Sequence, residues 1–163
     1  MSAPVTELRT PLKLDFTVTA GVQLSRFLTA LLEGRVVGAR CAVCARVYVP
    51  PRGACPTCAV PVVEPLLEIP DTGTVTTFCV VNIPFEGQKL VPPYVCATVL
   101  LDGADVPIFH LVGGVTPADV RVGLRVKARW LPVEARTPSL TCIEFFEPTG
   151  EPDAAPETIA GHI

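Results

Sequence analysis

The stretch Cys41-Ala42-Val43-Cys44-Ala45-Arg46-Val47-Tyr48-Val49-Pro50-Pro51-Arg52-Gly53-Ala54-Cys55-Pro56-Thr57-Cys58 decides how the rest of the chain is read. It holds two Cys-x-x-Cys pairs, Cys41/Cys44 and Cys55/Cys58, with ten residues between them. A Cys-x-x-Cys turn curls the backbone so that both sulfurs point at one centre. Two such turns joined by a hairpin make a closed tetrahedral site of four thiolates, the geometry of structural zinc. Residues 47–49 read as a short strand, and Pro50-Pro51-Arg52-Gly53 as its return. Iron in a rubredoxin-like site uses the same four sulfurs, so the spacing leaves zinc and iron both open. Four protein ligands leave no position for water or substrate, so the metal is structural. Its role is to hold a segment too small to own a core.

Disulfides would suit a small secreted chain, but the first 14 residues carry no apolar run of the kind a secretory leader needs. With seven cysteines, that pattern points to the cytoplasm. Hydrophobic residues make up 49% of the 163 and charged residues 18%, against roughly 25% charged in an average domain. Mean hydropathy is +0.47. The longest mostly apolar run, residues 95–101, is far shorter than the ~20 residues that span a bilayer. No membrane is therefore expected, and the apolar excess is expected to be buried against another protein. The net charge of −3 speaks against a general affinity for nucleic acid.

Outward from the cysteines, residues 20–34 read as a helix. Leu24, Phe27, Leu28, Leu31 and Leu32 form one apolar face, with Gln23, Arg26 and Glu33 off it. Gly34 suits the C-terminal cap, and Thr19 or Ser25 the start. Before it, residues 1–18 read as an extended arm. The segment 34–40 reads as a strand leading into the hairpin, which Arg40, Arg46 and Arg52 decorate.

From residue 73 the period becomes two. Strands are expected at 73–83, with Val75, Thr77, Cys79, Val81 and Ile83 on one side, then at 94–101, 106–112, 124–131 and 140–146. Thr116-Pro117-Ala118-Asp119 reads as the start of a short helix that ends at Gly123. Five strands with a short helix between the third and fourth form the pattern of an OB-fold barrel. The fold class is thus mainly β: an amphipathic helix, a rubredoxin-like zinc ribbon and a five-stranded barrel. The divisions fall at 1–36 for arm and helix, 37–62 for the ribbon, 63–147 for the barrel and 148–163 for a mobile tail.

Three stretches carry a family likeness: Arg26-Phe27-Leu28 with Glu33-Gly34-Arg35; the ribbon from Arg40-Cys41 through Val47-Tyr48-Val49-Pro50-Pro51-Arg52 to Cys58; and Gly73-Thr74-Val75. In this order they resemble the zinc-ribbon plus OB-fold family of acyl-CoA-associated proteins, over about residues 15–147. The resemblance implies a non-catalytic accessory subunit of a thiolase-type enzyme in a hetero-oligomer. In its most specific form the enzyme is a retro-aldolase that cleaves steroid side-chain CoA thioesters, and the accessory chain helps to hold the thioester. In such knuckles the residue after each pair is often glycine; this chain has Ala45 and Ala59 there.

Catalytic chemistry of its own would need a nucleophile with a base, or a paired acid and base. His110 lies on an expected strand and reads as structural; His162 is in the tail. Cys79, Cys96 and Cys142 read as core residues. No phosphate loop or Ser-containing elbow appears. Arg125, Lys127 and Arg129 share one face of the fourth barrel strand, where they can contact CoA phosphates, a partner or only solvent. The reading from another class is an OB-fold nucleic-acid-binding module. An aromatic content of 6% leaves few stacking platforms for it.

Overall fold

The structure is a computed structural model, and it describes residues 6–8, 10, 14, 16–62 and 65–162. Most of the expected N-terminal arm lies outside the described residues; within it, Leu14 and Phe16 are exposed.

Helix α1 spans Val22–Leu32. It begins at Gly21 with no side-chain cap, so neither Thr19 nor Ser25 caps it. Phe27, Ala30 and Leu31 are buried, with Leu24, Leu28 and Leu32 partly so. Gln23, placed off the apolar face by its polarity, is buried too. Gly34 ends the helix at φ +77°, where Arg35 N–H donates to the Ala30 carbonyl (2.9 Å) and Gly34 N–H to that of Leu31 (3.0 Å). This is the paired C-terminal cap that a left-handed glycine allows.

Strands β1 (Val36–Arg40), β2 (Val47–Tyr48) and β3 (Leu66–Ile69) form an antiparallel sheet in the order β2-β1-β3. Next come β4 (Thr72–Val81), β5 (Tyr94–Leu101), β6 (Ile108–Val112), β7 (Arg125–Trp130) and β8 (Ile143–Pro148). They close a barrel in the order β4-β5-β6-β8-β7, with β6 and β8 parallel and the other pairs antiparallel. The architecture is a five-stranded OB-type barrel with a ribbon sheet and a helix at its N-terminal side, as the sequence pattern implied. Closure is tight at Gly73, where a Cβ would stand 2.5 Å from the Leu100 carbonyl oxygen. Val75, Val99, Val126, Ile143 and Phe146 fill the barrel, each at most 1% exposed.

Four expectations for the barrel change. A β-bulge between Val75 and Thr77 leaves both Val75 and Thr76 buried and reverses the alternation beyond them. Thr77 and Cys79 therefore face outward instead of sharing the side of Val75. Cys96 is the register partner of Cys79 and is half-buried, so these two cysteines lie outside the core; Cys142 is fully buried as read. The helix expected after Thr116 is only a turn. The Thr116 hydroxyl goes to the Asp119 carboxylate, and the chain is soon pinned by Gly123 N–H to Val75 O (2.8 Å) and Val75 N–H to Leu124 O (3.0 Å). The front of the last expected strand, Leu140–Cys142, is a 3₁₀ turn capped by Ser139.

The segment after Pro148 is docked, against the expectation of a mobile tail. Ala154 N–H donates to Gly123 O (2.8 Å), Arg121 pairs with Asp153, and Ile159 in the helical turn α2 (Pro156–Ile159) is 3% exposed. The residues that hold it, Asp153 and Ile159, are isolated in a Pro- and Glu-rich background, which hides them from any periodicity.

Candidate metal centre

Each half of the cysteine cluster is built in the same way. Ala45 N–H bonds Cys41 O (3.0 Å) and Cys41 N–H bonds Arg46 O (2.9 Å); fourteen residues on, Ala59 bonds Cys55 (2.9 Å) and Cys55 bonds Val60 (2.9 Å). The residue after each pair must turn left-handed: Ala45 has φ 60° and Ala59 φ 54°, the two non-glycine residues with positive φ among the described residues. These are the positions where the sequence has alanine instead of the usual glycine.

The knuckles bring the sulfurs of Cys41, Cys44, Cys55 and Cys58 within 4.8 Å of one another. The Cys44 and Cys55 sulfurs are 3.7 Å apart. Two thiolates on a tetrahedral zinc, each about 2.3 Å from the ion, lie about 3.8 Å apart, so the donor set fits the metal in chemistry and spacing. Cys41 and Cys55 are buried, and Cys44 and Cys58 are partly exposed. Val43 N–H points at Cys41 Sγ and Cys58 N–H at Cys55 Sγ, both at 3.4 Å. Tyr48, buried within the same small cluster, sets its hydroxyl 3.2 Å from Cys55 Sγ. The Tyr48 hydroxyl bond draws the Cys55 thiol down to about 6. The hydrogen bond with Cys44 is the main reason that Cys58 is pushed up to about 12.

The ribbon is tied to the barrel through Asp105. Its N–H donates to Val47 O (2.9 Å), and its carboxylate accepts from Val47 N–H (2.7 Å). Arg136 ties in the helix by donating to Leu32 O (3.1 Å) and Leu131 O (2.8 Å). Neither residue stands out in the sequence. Asp105 is one acid beside a turn, and Arg136 is a lone base in a Pro-flanked connection.

The three basic residues of β7 do line one face, but they differ. Arg125 forks onto Asp102 with two bonds of 2.7 Å and also reaches Thr74 and Glu151. This pairing holds the Asp102 carboxyl below its usual range. Arg129 pairs with Glu144 and Glu147 and lies over the Phe145 ring. Lys127 is exposed, sits opposite Glu147 in the register, and makes no ion pair among the described residues. His110 bonds Leu140 O through Nε2 (3.2 Å) and meets the Phe146 ring edge-on; burial lowers its pKa. It has no acid or base partner among the described residues.

Ribbon and barrel together define the class: a small β protein whose first unit is held by a four-cysteine centre. The family model for the rubredoxin-like zinc ribbon domain of ChsH2 matches residues 28–64, and that for the C-terminal OB-fold domain of ChsH2 matches residues 67–131. These matches span more than half of the chain, which belongs to this zinc-ribbon plus OB-fold family, the DUF35/ChsH2 family. Among solved structures, one described as the "Ltp2-ChsH2(DUF35) aldolase" aligns over 81% of this chain and 98% of its own, with a TM-score of 0.60 and 24% identity. A DUF35-family protein of unknown function from Sulfolobus solfataricus aligns over 66% of this chain and 78% of its own, with a TM-score of 0.55 and 25% identity. No curated protein matches. No helix among the described residues is long and apolar enough to cross a membrane.

Proposed function

We propose that this chain is a non-catalytic accessory subunit of a thiolase-type enzyme acting on acyl-CoA, most specifically a retro-aldolase that cleaves steroid side-chain CoA thioesters. The observation that carries the reading is the pair of ChsH2 domain matches in one chain, joined by its alignment with nearly the whole of a chain from the structure described as the "Ltp2-ChsH2(DUF35) aldolase". Two features of this chain support it. Several of its charged and polar side chains are held in structural contacts, as at Arg125–Asp102 and His110–Leu140. Its surface keeps large apolar side chains that a monomer has no use for: Ile83, Phe85 and Val91 in the loop before β5, and Phe109 on β6, are each more than 60% exposed.

In this reading Cys41, Cys44, Cys55 and Cys58 hold a structural zinc, with iron as the alternative that the same donors accept. The ribbon shapes the N-terminal third, and ribbon and barrel together supply the partner surface. Of the three basic residues considered for CoA, Lys127 is the candidate, because Arg125 and Arg129 are already engaged with carboxylates.

Co-expression with each thiolase-like protein of the same organism, followed by gel filtration and assay on steroid side-chain acyl-CoA thioesters, tests the proposal. One stoichiometric complex that is active, with the single chain inactive, is the expected result. Turnover by the chain alone would overturn it. So would salt-dependent binding to single-stranded nucleic acid with no thiolase-like partner.

A further inference from the structure

The two knuckles share their backbone pattern, yet one side chain breaks the equivalence. Tyr48 lies on β2, 2% exposed, with its hydroxyl 3.2 Å from Cys55 Sγ. The Arg52 guanidinium lies over its ring, 5.4 Å from the centroid. A metal-bound thiolate carries no proton, so in the loaded site the phenol must be the donor and Cys55 the acceptor.

We propose that Tyr48 is a positioning residue of the metal centre, donating one O–H···S hydrogen bond that makes Cys55 the least electron-rich of the four thiolates. This rests on the metal reading above. Four thiolates on a divalent ion leave a net charge of −2 in a mostly buried pocket. A buried donor aimed at one sulfur draws off part of that charge, the role that outer-sphere partners have in metal sites. Phenylalanine at this position would fill the same space beside Ala39, Val62 and the cysteines without donating. The hydroxyl therefore acts on the sulfur and not on the packing.

The test uses the full chain loaded with Co2+, whose thiolate-to-cobalt charge-transfer bands report the electron richness of the sulfurs. Tyr48→Phe is expected to move those bands to longer wavelength, since losing the donor raises the sulfur lone-pair energy. The chain has two tyrosines, Tyr48 and Tyr94. In a Tyr94→Phe background, 3-fluorotyrosine therefore enters at position 48 alone, and this stronger donor should move the bands to shorter wavelength. The fluorinated protein keeps the idea testable if Tyr48→Phe does not fold. Bands unmoved by the fluorotyrosine, or by a folded Tyr48→Phe, overturn the role of Tyr48 and leave the metal reading intact. A wild-type chain that takes up no Co2+ with four-thiolate bands overturns the metal reading itself.

Discussion

The outer ribbon and the barrel are both antiparallel β structures of Val-rich sequence, yet different forces hold them. In the barrel, Val75, Val99, Val126 and Phe146 are sealed from water and belong to one continuous core with α1 and the inner ribbon strands. The tip of the ribbon has a second cluster of only five buried residues, two of them cysteines. It also carries two alanines in left-handed backbone. Burial of that size does not offset the ordering of some twenty residues at roughly 1–2 kcal/mol each. On the proposed reading a metal held by the four cysteines supplies the difference, and the barrel needs no such help.

The hardest way to break this contrast is to remove the metal. Chelation or Cys41→Ser should release the tip completely, because structural zinc contributes about 10–16 kcal/mol in comparable small sites. Trypsin should then cut at Arg46 and Arg52 while hydrogen exchange in β4–β8 stays slow. Barrel amides that exchange as fast as the tip would mean that the two regions are one folding unit. Under the proposed function, binding to the enzyme partner should be lost with the tip.

Next in size, Phe146→Ala should cost the barrel about 3–5 kcal/mol in a denaturant titration and leave zinc retention unchanged. Third, Arg125→Met leaves Asp102 without its fork and should cost about 1.5–3 kcal/mol. The pH dependence follows from the same pair. The Asp102 pKa is lowered in the fold, so its contribution is present above the unfolded value of 3.8 and is lost as pH falls through the folded one. Wild type should therefore lose more stability on acidification than Asp102→Asn, read as thermal midpoints across that range. The smallest effect sharpens the contrast instead of breaking it. Ala59→Gly relieves a left-handed residue and should stabilise the loaded ribbon by about 0.5–1 kcal/mol, after the entropy that glycine adds to the unfolded chain. A destabilised variant in a chelator-competition assay would show that the knuckle is not strained there.

How far the chain could be read before its structure follows the same divide. The cysteine spacing is a local signal, and it fixed the two cysteine knuckles and even the two alanines that need a left-handed turn. The barrel strands were legible because alternation is local too. What escaped depends on distant partners. The bulge at Thr76 reverses which side of β4 faces inward, and no residue type marks it. Docking of 149–162 uses backbone bonds such as Ala154 to Gly123, and its side-chain anchors include Asp153, which meets Arg121, and one buried apolar residue, Ile159. Arg125 looked free for a ligand until the chain returned with Asp102. Asp105 and Arg136 join elements far apart in sequence and have no periodic signature.

The two-point bond between Val47 and Asp105 has a mechanical consequence. A single linker between ribbon and barrel would be a swivel, and any surface spanning both would have to be aligned anew at each encounter. One N–H and one carboxylate on the same residue, engaging both the donor and the acceptor of Val47, make a bracket instead of a pivot. An association that uses both units then starts from an angle already set, and the orientational entropy otherwise lost on binding has been removed during folding.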